Sequence, residues 1–383
     1  MNKVYLSYNN IVSGYGFDTA AAVEGIKKED ACLRQIHDKH LLPNHYCASK
    51  VASETLEEAY AQLRPKEAHT HLEKMLLVSL EKTIRASQLE LTDRVGLIIS
   101  TTKGNIDVLE PENPFPKSRA YLGQLGEKIR HFFGFQNEAL VLSNACVSGV
   151  LAIAIAKRFI LQGTYDEVFV VGGDLVTKFI LSGFNAFQAL SDEPCRPYDK
   201  NRSGINIGEV GTSVLVTKKT THLAEESVVL LGEASCNDAN HISGPSRTGE
   251  GLYRSIVAAL AQSELNAGNI DCISAHGTAT LFNDEMEAIA FNRSGLQNTP
   301  MNSLKGYFGH TLGASGLLET IIGMHSLHQN TLFASKGFQE LGVSEPLNII
   351  KKTTPKPIET FLKTASGFGG CNTAAIFKKV AEK

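Results

Sequence analysis

Short apolar runs alternate along the chain with longer stretches in which apolar residues recur every three or four positions. The short runs predict buried strands, because a strand covered on both faces reads as a continuous Val/Ile/Leu segment. In the first half they are Val4–Tyr8, Val95–Ser100, Ala139–Leu142, Glu167–Val171 and Thr212–Thr217. In the second half they are Ser227–Leu231, Ile270–Ala275, Leu347–Ile350, Thr360–Lys363 and Thr373–Phe377. Helical spacing appears over His71–Ala86, where Leu72, Met75, Leu76 and Leu80 share a face. A second helix runs from about Cys146 to Gln162 and stops at Gly163, a residue free to take the left-handed turn that ends helices. Further helices are expected over Gly251–Ser263, Asp284–Phe291 and Ala314–Leu327.

Strand and helix therefore alternate in a similar order twice. The polar stretch near 217–227 reads as the join, so we expect two α/β halves, 1–222 and 223–383. No direct sequence repeat supports this; the likeness is in element order alone. The 383 residues suffice for one large duplicated core. The longest uncharged apolar stretch, Val147–Ala156, is too short to span a bilayer. A net charge of −3 without basic runs argues against nucleic-acid binding. Seven scattered cysteines with no C-x-x-C pair argue against zinc knuckles and thioredoxin-like redox chemistry, and fit a reducing, cytoplasmic setting.

Four glycine-flanked segments carry candidate chemistry. In "SNACVSG", Cys146 stands where a strand ends and an apolar helix begins. A buried cysteine is usually only a small hydrophobe. At a helix start, however, the positive end of the dipole favours the thiolate. In "SAHGTATLFNDEME", His276 stands at a strand's C-terminal end, where α/β sites gather. In "NSLKGYFGHTLGASGLLE", Lys305, His310 and Glu319 are separated by small residues before another apolar helix. In "SGFGGCN", Gly367, Gly369 and Gly370 surround Phe368, a turn able to aim backbone N–H groups at an oxyanion. Taken singly these are a structural histidine, a solvated lysine and a plain turn. Their combination and order carry the signal.

That combination resembles the elongating β-ketoacyl-[acyl-carrier-protein] synthases of the thiolase superfamily. "ACVSG", "HGTAT" with "ND", "K…GHTLGASG" and "GFGG" match the family's motifs, and "GFNAFQALS" and "CRPYDKNRSGINIGE" occupy the expected interval. The resemblance implies a thiolase-like fold of two similar α/β halves in five αβαβα layers. It implies decarboxylative condensation of malonyl-carrier protein with an acyl chain held on Cys146. His276 and His310 would aid decarboxylation, and Lys305 would pair with Glu319. Asp284 would support the first histidine, and Phe368 would gate the site beside Gly367 and Gly369. The N–H groups of Cys146 and Phe368 would receive the oxyanion. No metal or organic cofactor is implied. The implied partners are an acidic acyl carrier protein, for which Arg64, Lys66 and Lys74 are candidate contacts, and a second subunit, identical or related. "TTKGNID" places Lys103 where relatives carry an apolar pocket residue, and Val210 replaces an expected glycine. These departures point towards a specialised polyketide or aryl-polyene pathway as an alternative to fatty-acid synthesis. Two other readings stand beside the leading one. A thiolase-like CoA acyltransferase would use a second cysteine, for which Cys371 is the candidate. A non-catalytic subunit would only dock carrier proteins.

Overall fold

The computed structural model describes residues 3–239 and 244–380. In chain order the first half comprises β1 (Tyr5–Val12), α1 (Thr19–Lys27), β2 (Arg34–Ile36), β3 (Tyr46–Ser49), α2 (Ser53–Ala61), α3 (His71–Ser87), β4 (Val95–Ser100), α4 (Leu122–Phe133), β5 (Leu140–Leu142), α5 (Ser148–Leu161), β6 (Glu167–Asp174), α6 (Lys178–Ala186), β7 (Ile207–Gly208) and β8 (Val210–Thr217). The second comprises β9 (Val228–Asn237), α7 (Glu250–Gln262), β10 (Cys272–Ser274), α8 (Leu281–Arg293), β11 (Met301–Asn302), α9 (Lys305–Phe308), α10 (Ser315–His328), β12 (Thr331–Leu332), β13 (Thr354–Pro355), β14 (Thr360–Gly367) and β15 (Cys371–Lys379).

Ten strands form one ladder in the order β11-β10-β14-β15-β9-β1-β8-β6-β4-β5. Read outward from the centre, β1-β8-β6-β4-β5 and β9-β15-β14-β10-β11 use the same chain order. Both begin with two antiparallel pairings and end with two parallel ones. The halves meet along β1 and β9, where Tyr5 faces Val229 and Leu6 faces Val228. The repeat that sequence identity conceals is thus plain in the topology. β2, β3 and β7 make a separate small sheet.

Helices α5 and α10 pack on each other between the two five-stranded arrays, and α3 and α7 cover the outer faces. The layers therefore run helix, sheet, helix, sheet, helix. The central pair approaches closely because its first turns lack side chains where they cross. A Cβ on Gly149 would stand 2.5 Å from the Leu317 nitrogen, and one on Gly316 would stand 2.5 Å from Val150 Cγ2. The starts of both central helices are thereby brought together, and the site is built there.

Most expected elements are present within a few residues. The expected strand Leu347–Ile350 is not: Ile349 makes a single bridge to Met301, because β11 beside it is only two residues long. Helices α1, α2, α4, α6 and the short α9 lie outside the expected set. In α2 only Leu56 and Tyr60 are buried, too few for a clear apolar stripe, whereas α4 buries Leu125, Gly126 and Ile129 along a stripe that the sequence does show.

Candidate active site

Cys146 lies in the turn between β5 and α5. Ala145 before it takes φ +45°, a left-handed angle that a non-glycine residue adopts only when its surroundings enforce it. Here Ser148 supplies the constraint: its Oγ accepts from Asn144 N at 2.8 Å and donates to Ala145 O at 2.7 Å. The turn delivers the sulfur to the start of α5. The structure corrects the expected thiolate. Burial outweighs the helix end and, with Cys371 nearby, pushes the thiol up to about 12, while Lys305 pulls it down. The resting nucleophile is a thiol, and its ionisation needs help from a neighbour.

His310 is that neighbour. Its Nε2 lies 2.9 Å from Cys146 Sγ. Its backbone is fixed by β7 and the residue before it: His310 N donates to Asn206 O at 2.7 Å, and Gly208 N donates to His310 O at 3.0 Å. The other ring nitrogen, Nδ1, receives Leu312 N at 3.3 Å and Ser315 Oγ at 2.8 Å. Ser315 Oγ also accepts from Thr311 N at 3.0 Å and lies 3.0 Å from Thr311 Oγ1. The N–H that Leu312 donates to Nδ1 places the ring proton on Nε2, on the side of the sulfur. Burial, with Lys305 and Lys363, holds His310 well below the usual histidine range.

His276 follows β10, and its ring stands edge-on to His310 with centroids 5.2 Å apart. It too is held well below the ordinary range by burial, Lys305, His310 and Lys363. Lys305, at the start of α9, donates to His276 O at 2.5 Å, lies 3.4 Å from its Nδ1 and pairs with Glu319 Oε1 at 2.9 Å. The expected Lys305–Glu319 pair is therefore present and completely buried. Asp284 is close but acts further along: it accepts from Thr278 N at 2.9 Å and Tyr198 N at 2.7 Å. The carboxylate that grips His276 is Glu287, which accepts His276 N at 2.9 Å and Gly277 N at 2.7 Å. Burial and the charge of Asp284 push Glu287 up to about 7.

Cys146, His276 and His310 line a cavity of about 510 Å³ together with Gly367, Phe368 and residues of α6 and α8. Gly367 lies against the nucleophile, since a Cβ there would stand 3.0 Å from Cys146 N. Phe368 is half-exposed at the mouth, where its ring meets Phe184 and Phe187 with centroids 5.7 and 5.4 Å away. Gly369 and Gly370 make the turn at φ +85° and +80°. Cys371 aims its thiol at Phe368 O, 3.5 Å away, and at Asn144 O, 3.8 Å away, away from the histidines. Of the candidate carrier contacts, Arg64 and Lys66 are exposed, whereas Lys74 is paired with Glu57.

Four functional side chains escaped the sequence reading. Glu287 sits one helical turn beyond Asp284, a spacing that could have suggested a second inward carboxylate. Ser315 sits in the quoted "GASG" but reads as a mere small residue. Asp174 follows two glycines at the end of β6; it accepts from Thr102 N and Gly313 N, both at 2.8 Å, and ties the His310 loop to the first half. Lys363 lies mid-strand in β14 and gave no signal.

Comparison with known proteins agrees with this geometry. The model of the β-ketoacyl synthase N-terminal domain matches residues 16–222, and that of the C-terminal domain matches 227–339. The 3-oxoacyl-[acyl-carrier-protein] synthase 2 of Rhizobium meliloti is 33% identical over 268 residues, 66% of this chain and 62% of that enzyme. A Streptomyces halstedii protein named putative polyketide β-ketoacyl synthase 1 is 30% identical over 267 residues, 66% of this chain and 63% of that one. In both cases the match spans less than two thirds of the relative. A chain of the Xenorhabdus doucetiae complex of a ketosynthase with its chain length factor superposes with TM-score 0.87 at 25% identity, covering 99% of this chain and 98% of that one. The fold is thiolase-like, and the chain belongs to the β-ketoacyl synthase family of acyltransferases.

Proposed function

We propose that the chain is a β-ketoacyl-[acyl-carrier-protein] synthase that joins a malonyl unit to an acyl group carried on Cys146. The observation that carries this is His310 Nε2 standing 2.9 Å from Cys146 Sγ, with Nδ1 on the far side of the ring accepting from Leu312 N. A donor to the sulfur favours its anion as the thiol ionises. The thiolate attacks the acyl thioester carbonyl, the carrier thiol leaves with a proton, and the acyl group stays on Cys146 as a thioester. Backbone N–H groups of Cys146 and Phe368 receive the transient oxyanion.

A malonyl thioester then occupies the cavity. Its bond to the carboxylate breaks, CO2 departs, and the electron pair passes into the enolate. Nε2–H groups of His276 and His310 donate to the thioester oxygen as that charge grows. One such donor in a dry site contributes about 3–4 kcal/mol. The enolate carbon attacks the acyl carbonyl, the tetrahedral oxyanion collapses, and Cys146 leaves as thiolate. Lys305 and Glu319 fix the floor beneath His276, Asp284 and Glu287 fix the turn after it, and Phe368 with Gly367 and Gly369 gates the mouth. The reaction as written needs no cofactor.

The donor is an acyl carrier protein, an acidic partner that Arg64 and Lys66 suit by charge. The names of the relatives, one a 3-oxoacyl-[acyl-carrier-protein] synthase and one a putative polyketide β-ketoacyl synthase, support this. A second subunit, identical or related, completes the enzyme. Among the described residues no helix is long and apolar enough to cross a membrane, and the cysteines are unpaired, which supports a cytoplasmic setting. The test is product formation from acyl- and malonyl-carrier protein, followed by mass. Cys146→Ala is expected to keep the fold and lose condensation; condensation retained in that variant overturns the proposal.

A further inference from the structure

The floor of the site contains a charge that the reaction as derived does not use. Lys363 lies in the middle of β14, with its side chain completely buried. Its Nζ stands 2.6 Å from Glu319 Oε2 and donates to Ser274 O at 2.9 Å and Ala275 O at 3.3 Å. Ala275 is the residue immediately before His276. Lys305 holds the other oxygen of the same carboxylate and the carbonyl of His276 itself. Two ammonium groups thus share one carboxylate, and between them they grip three consecutive carbonyls at the end of β10.

We propose that Lys363 is a positioning residue, a second fixed cation that anchors the His276 strand end and leaves the floor of the site with one uncompensated positive charge. This rests on the condensing reaction proposed above. A buried lysine is costly to keep charged, so a chain that needed only a filled space would place a Met or Leu there. The three acceptors around Nζ show instead that the ammonium form is provided for. The resulting charge has two consequences. It disfavours protonation of both histidines, which keeps Nδ1 of His310 an acceptor and the Nε2 proton on the substrate side. It also favours the negative charge that accumulates on the malonyl thioester oxygen.

The groups facing the two rings are consistent with this balance. Cys146 is a thiol at rest. Asp284 lies 3.8 Å from Arg202. Glu287 is pushed towards its neutral form. Asp174 is spent on the N–H groups of Thr102 and Gly313. Burial lowers Lys363 itself, whereas Glu319 raises it. The rings feel the lysine pair with only Glu319 set directly against it.

The test is titration of carbon-13-labelled histidines in the whole chain by NMR, with the site resonances assigned from single histidine variants. In the wild-type protein both site histidines are expected to stay neutral until well below the ordinary histidine range, since burial and the nearby lysines both disfavour the imidazolium. Lys363→Met, close in length and neutral, should raise both titrations by about one unit. An acid limb in malonyl decarboxylation should move up with them. Lys363→Arg keeps the charge and should keep the low titrations. If Lys363→Met fails to fold, the wild-type and Lys363→Arg titrations still decide. A wild-type site histidine titrating near 6.5, or unmoved titrations in folded Lys363→Met, overturns the proposal. Condensation surviving in Cys146→Ala would instead strike the reaction itself and leave the titration result standing.

Discussion

The two halves use one plan and differ in what they place on it. After β4 in the first half, the N–H groups of Thr102 and Lys103 are captured by the buried carboxylate of Asp174. After β10 in the second, those of His276 and Gly277 are captured by the buried carboxylate of Glu287. Each half then sends one helix to the centre, with Gly149 on α5 and Gly316 on α10 allowing the two to touch. The chemistry is asymmetric. The approach to α5 carries the nucleophile, and the approach to α10 carries His310 with Ser315 beside its Nδ1. The end of β10 carries a second histidine, where the end of β4 offers Thr101 and Thr102. The duplication supplies a rigid cradle for two helix starts, and unlike residues on equivalent turns supply the reaction.

The histidines allow that asymmetry to be broken most severely. His276→Ala or His310→Ala should reduce CO2 release from malonyl-carrier protein roughly 100- to 1000-fold, the usual cost of one donor to a developing oxyanion. Acylation of Cys146 should fall far less in His276→Ala, whose ring is not in hydrogen-bond contact with the sulfur. Because both act on one charge, the double variant should lose less than the product of the single losses. A single variant that decarboxylates at the parent rate reduces that histidine to a structural part.

The shared cradle can be strained separately. Gly149→Ala puts a methyl 2.5 Å from the Leu317 nitrogen, so α5 and α10 must part. Overpacking of this kind costs about 1–3 kcal/mol, and chemical denaturation should show a lower midpoint together with weakened activity. An unchanged midpoint would mean that the helix crossing is not tight.

The carboxylate of the second half can be probed through pH. Folding raises Glu287 from 4.5 to about 7, so between those values the folded chain binds more protons than the unfolded one. Stability from this group is therefore present below about pH 4.5 and declines as pH rises through 7, by up to about 3 kcal/mol. Glu287→Gln should flatten that slope in stability measured against pH. A slope that persists unchanged assigns it elsewhere, Asp284 being the next group that burial raises.

Sequence made the fold class and the central triad legible for a physical reason. Cys146, His276, His310 and Phe368 sit on tight turns whose glycines and small residues lie beside them in the chain, so each leaves a local pattern. Lys363 and Asp174 do not. Lys363 meets Ser274 across 89 residues, and inside a strand pattern a lysine reads as an outward-facing position. Asp174 reaches Gly313 across 139 residues. The thiol of Cys146 was misjudged for the same reason: helix position is written locally, and burial is not.

The most direct measurement is the intact mass and peptide map of the protein after incubation with acyl-carrier protein alone. One acyl group per chain, attached at Cys146 and released when malonyl-carrier protein is added, is the expected result. An unmodified Cys146, or an acyl group found on Cys371 instead, would contradict the account.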